Sequence, residues 1–199
     1  MELSSLASFP LGYVLARTGE HLPWLPTRAY RGVDRDVFRP DPFAIQGTPE
    51  GAVWEDVWSA EESGELRRNL GTARSLVAEL SGFGHSLEVI FCEAVFIPSR
   101  FSGSVAEAHR ASFEHLEALA RTIPVVDSTF RELGYDVSMP HGWHSVIFQP
   151  GPISQDESLA ERLNAFGLLS SSEEARALMN VANATDPHAG ILSVIRILG

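Results

Sequence analysis

Few groups in this chain stand where their types and spacing could do chemistry. The sharpest set is His141-x-x-His144, with His188 as a third candidate in another loop-like stretch. Neutral imidazoles are common metal ligands, and a protein site needs at least three convergent ligands, which loops beside strand ends can supply. The bland reading is that His141 is a solvated turn residue and His144 bonds to neighbouring polar groups. HxxH fits no established zinc spacing, and the chain contains no HExxH.

Ser145 follows His144 and invites a hydrolase reading. The surrounding Gly142-Trp143-His144-Ser145-Val146 is not the GxSxG of a nucleophile elbow. Adjacent strand residues also point to opposite faces, so His144 is badly placed to serve Ser145. No catalytic residue is assigned, and the sequence leans away from an enzyme. No cofactor is expected either. Gly82-Phe83-Gly84 follows a helix and precedes a strand, the wrong order for a dinucleotide fingerprint, and it lacks the third glycine.

Glu93 and Arg196 are charged residues inside otherwise apolar runs, Leu87–Ile97 and Ile191–Leu198. An unpaired buried charge is costly, so the two are expected to form a buried pair if their strands are neighbours. The remaining candidate is a surface. Glu50, Glu55, Asp56, Glu61, Glu62 and Glu65 fall in one stretch without an Arg, interleaved with Trp54 and Trp58. Tryptophans at i,i+4 share a helical face and most often belong to a core. Beside an acidic rim they also suit a site for a basic protein partner, with Trp54, Trp58, Glu55, Asp56, Glu61 and Glu62 as partner-binding residues.

Composition supports that direction. The formal charge is −11 over 199 residues, and all 15 basic residues are Arg. With no Lys there is no Schiff base and no phosphate-loop lysine. Residues 1–49 balance five Arg against five acids, so the excess arises wholly after residue 49. A surface of that sign repels phosphate backbones and excludes nucleic acid as a partner. The single Cys92 rules out an internal disulfide. The amino terminus lacks the basic region of a signal peptide and no apolar run has membrane-spanning length, so a cytoplasmic protein with no membrane partner is expected.

The elements that must position these residues read as one α+β (or α/β) domain over 1–199. Its expected sheet is mixed, with four to five strands near 87–97, 135–139, 143–149 and 191–198. A central hairpin turns at Pro140-His141-Gly142. Helices are expected near 60–82, 104–122, 155–166 and 172–184, with a short one around Asp127–Leu133. Ser59-x-x-Glu62 reads as a capping box for the first, and Ser170 or Ser171 as a cap for the last. Gly64 and Gly71 should fray or bend the first helix. Residues 1–49 read as an irregular Pro- and Arg-rich segment packed on the domain or extending from it, with Leu11–Arg17 as a candidate strand.

LGYDVS, WHSVIF and LNAFGLLSSSEEARAL, over about the last third of the chain, resemble small acidic bacterial immunity proteins. The stretch holds no diagnostic motif, and no family is assigned on it. The resemblance implies a non-enzymatic inhibitor that neutralises a basic partner such as a toxin. The competing reading is a small-molecule enzyme or ligand-binding domain, metal-dependent in one version, with its site near His141 and His144. Oligomeric state is left open by the sequence.

Overall fold

The computed structural model describes residues 9–20, 30–32, 42–96, 114, 118, 120–139, 145–147, 157–185 and 192–199. Their elements are β1 (Phe9–Glu20), β2 (Tyr30–Gly32), α1 (Pro42–Ile45), α2 (Pro49–Glu62), α3 (Glu65–Arg68), α4 (Leu70–Ser81), β3 (Leu87–Phe96), β4 (Glu132–Ser138), α5 (Glu157–Arg162), α6 (Ser172–Thr185) and β5 (Ser193–Leu198). They build a single α+β domain. Among the described residues the sheet has five strands in the order β2-β1-β3-β5-β4, and every pairing is antiparallel.

Both faces of this sheet are covered. On one, Trp54, Val57, Leu66, Ala73, Leu76 and Leu80 from α2–α4 pack with Tyr13, Phe91 and Leu198. On the other, Leu159, Leu163, Ala175, Leu178, Met179 and Ala182 from the α5–α6 region pack with Val14, Ile90, Cys92, Ile195 and Ile197. This two-sided burial explains why β3 and β5 are apolar on both faces. Each fully buried Leu, Ile or Phe contributes roughly 1.5–3 kcal/mol relative to leaving it in water. Tyr13 and Phe91 add an edge-to-face contact with centroids 5.1 Å apart.

The sheet is antiparallel where a mixed one was expected, and its centre is not the 135–149 hairpin. β5 inserts between β3 and β4, because a strand apolar on both faces needs covered neighbours on both sides. That places β4 at the end of the strand order. The second arm expected over 143–149 is reduced, among its described residues, to an isolated bridge between Ser138 and Ser145. Val146 N donates to Val137 O at 2.9 Å, and Ser145–Ile147 form a bridge and turn, not a strand.

The candidate strand at Leu11–Arg17 is longer than expected and sits inside the sheet as β1, between β2 and β3. Its alternation is concealed by a bulge. Pro10 pairs with Glu93 and Gly12 with Cys92, which leaves Leu11 as the extra residue. Phe9 and Leu11 before the bulge and Val14 and Ala16 after it therefore share one core, although their numbers differ in parity. Gly12 has φ 93°, and a Cβ there would come within 2.8 Å of Arg67 Cβ. Only glycine lets α3 approach β1 this closely, and Arg67 Nη1 then donates to Leu11 O at 3.1 Å.

The long helix expected over 60–82 is three pieces. Thr48 caps α2, its Oγ1 accepting from Gly51 N at 3.0 Å, and Pro49 occupies the first turn. Ser59 and Glu62 thus lie near the end of α2 and cap nothing. Breaks fall at Gly64, with φ 72°, and at Asn69, whose Oδ1 accepts from Gly71 N and Thr72 N to start α4. Asp127–Leu133 is not helical. Asp127 Oδ1 accepts from Thr129 N at 2.9 Å in a side-chain turn, and Arg131 then exchanges backbone bonds with Gly199.

The helix expected over 155–166 ends at Arg162. Asn164 Oδ1 accepts from Phe166 N and Leu168 N, a local bond set that competes with further helix. Ser171 caps α6, its Oγ accepting from Glu174 N at 3.2 Å. Most of the helix expected over 104–122 lies outside the described residues.

Candidate functional site

The acidic segment forms α2, with Glu65 opening α3, and α2 packs against α3 and α4. Trp54 is 6% exposed and belongs to the core, so it is not a surface anchor. Helical periodicity turns Trp54 and Val57 inward together, and Trp58 is half-buried against the same cluster. The opposite face carries exposed Glu55, Asp56, Ser59 and Glu62, while Glu61 is half-buried. Glu50 is occupied within the fold, as His85 Nε2 lies 2.8 Å from its Oε1. The His85 ring also stands edge-on to Trp54 at 5.6 Å.

His141, His144 and His188 lie outside the described residues. Among the described residues, no group of three or more His, Cys, Asp or Glu could hold a metal ion. Cys92 is fully buried on β3, and burial pushes its thiol far above the ordinary range despite the opposing charge of Arg67. Such a thiol is inert packing, not a nucleophile.

Glu93 and Arg196 are direct register partners on β3 and β5. Arg196 Nε donates to Glu93 Oε2 at 2.9 Å, and Nη2 reaches the same oxygen. The pair is only partly buried, with side-chain exposures of 12% for Glu93 and 34% for Arg196. Burial alone would lower the pKa of Arg196, but the hydrogen bond and charge of Glu93 outweigh it and raise the value. Next along the register stands Tyr135, whose hydroxyl donates to Glu132 Oε2 at 3.0 Å. Burial, then that bond, raises the Tyr135 pKa.

A second polar set has no counterpart among the sequence candidates. Asp136, Ser138, Ser145 and Ser193 are all 0% exposed. Ser138 and Ser193 face each other across β4 and β5, and Asp136 is two residues earlier on the same face. Asp136 Oδ1 accepts from Val137 N and from Ser145 Oγ, both at 2.7 Å. Ser145 Oγ in turn accepts from Ile147 N at 3.1 Å. The available signal was the pair Asp136 and Ser138 inside β4. They alternate with Tyr135, Val137 and Met139, the pattern of a half-buried strand with one solvated face, whereas β4 is buried on both.

Chemically, this set pins the 145–147 segment to β4. The attachment runs through one carboxyl oxygen of Asp136, which accepts from a hydroxyl and a backbone amide.

The free side of β4 is closed as well. Tyr135 and Leu169 exchange two backbone bonds of 2.9 Å, and Asn164 Nδ2 donates to Leu133 O at 2.8 Å. Gly134, at φ 146°, makes this possible, since a Cβ there would stand 2.7 Å from Leu169 O.

No family model matches the chain, and neither the curated proteins nor the solved structures contain a match. Among the described residues, no helix is long and apolar enough to cross a membrane.

Proposed function

We propose that this chain is a non-enzymatic, cytoplasmic protein-binding protein of the inhibitor or immunity type. It engages a basic protein partner, such as a toxin, through the outer face of α2. The observation that carries this reading is the division of that helix. Trp54 and Val57 anchor it to the core, leaving Glu55, Asp56 and Glu62 outward on one surface. Glu61 flanks that surface, and the formal charge of −11 reinforces its field. Trp54 supports the face from beneath instead of touching the partner.

Rim charges chiefly accelerate encounter. The test is affinity capture from native lysate at low salt, followed by association kinetics with the recovered partner. Glu55→Gln, Asp56→Asn and Glu62→Gln together should slow association by about tenfold and leave dissociation nearly unchanged. Capture of the same partner at equal rates by the triple variant would overturn the reading. So would recovery of small molecules and no protein.

One observation favours a second reading, a small-molecule enzyme or ligand-binding domain. It rests on the sequence spacing His141-x-x-His144, since both residues lie outside the described ones. Elemental analysis and divalent-metal titration test its metal-dependent form. Stoichiometric metal lost in the His141→Ala, His144→Ala variant would rank it first.

A further inference from the structure

We draw no further inference here: the strongest candidate, the buried Asp136–Ser138–Ser145–Ser193 cluster between β4, β5 and the 145–147 segment, belongs to the site already described, and nothing in the structure shows what it would hold.

Discussion

Breaking the Glu93–Arg196 pair should have unequal consequences depending on which partner is removed. Two unit charges about 4 Å apart near a protein surface attract by roughly 4 kcal/mol, most of which offsets desolvation. Arg196→Met leaves the Glu93 carboxylate, only 12% exposed, without its cation. That should cost about 3 kcal/mol, the low end for stranding a buried charge. Glu93→Gln leaves Arg196 34% exposed, with Nη1 still 3.9 Å from Glu132 Oε2. Water and Glu132 then compensate, and the cost falls to about 1 kcal/mol. The double variant strands no charge and should cost about 2 kcal/mol, a coupling of similar size. Urea denaturation of the four proteins, compared at constant m, measures each term. Additivity within about 0.5 kcal/mol, or a larger loss for Glu93→Gln than for Arg196→Met, would refute the reasoning.

Ser145→Ala removes a donor from the buried Asp136 carboxylate and should cost about 1–3 kcal/mol, read by the same denaturation. Gly12→Ala must place a Cβ against Arg67 at positive φ, so a loss of about 3 kcal/mol or more is expected, with lowered Tm. An aromatic disulfide reagent should label Cys92 only as fast as the protein unfolds, since the residue is 0% exposed. Labelling of the native protein at a free-thiol rate would contradict the placement of β3.

Two titrations have defined signs. The Thr129 backbone and hydroxyl bonds lower the Asp127 pKa, so their stabilisation is present above 3.8 and lost as pH falls through the folded value. Asp127→Asn should flatten that acid limb. Burial and Glu132 raise the Tyr135 pKa, so its contribution is full below 10 and lost as pH rises through the folded value. Tyr135→Phe should flatten the alkaline limb.

Local pattern reached the doubly apolar strands β3 and β5, and it brought Glu93 and Arg196 forward as partners. Those signals depend on composition over a few residues. It failed where one residue changes the count. The bulge at Leu11–Gly12 reverses the parity of β1, so a central strand looked irregular. Asn69 and Gly64 divide what periodicity joined into one helix. Asp136 misled for a different reason. A polar residue alternating with apolar ones signals a solvated face unless a partner from elsewhere buries it, and Ser145 does so from nine residues away. The i,i+4 tryptophans were legible as sharing a helical face, but the helix was expected to start near residue 60, and which tryptophan turned inward depended on how α2 meets α3 and α4.

The position of β5 also sets an order of events during synthesis. β1 and β3 can pair as soon as residue 96 is available. β4 follows them in the chain yet has no place beside them, because the strand between them is Ser193–Leu198. The contact that joins Glu93 to Arg196 spans 103 residues. Closing such a separation before any ladder bond rewards it is slow. A nascent chain halted between β4 and β5 therefore holds an open β3 edge and an unattached β4. Both are templates for pairing with other chains. A chain truncated in that interval should aggregate far more than the full 199-residue chain.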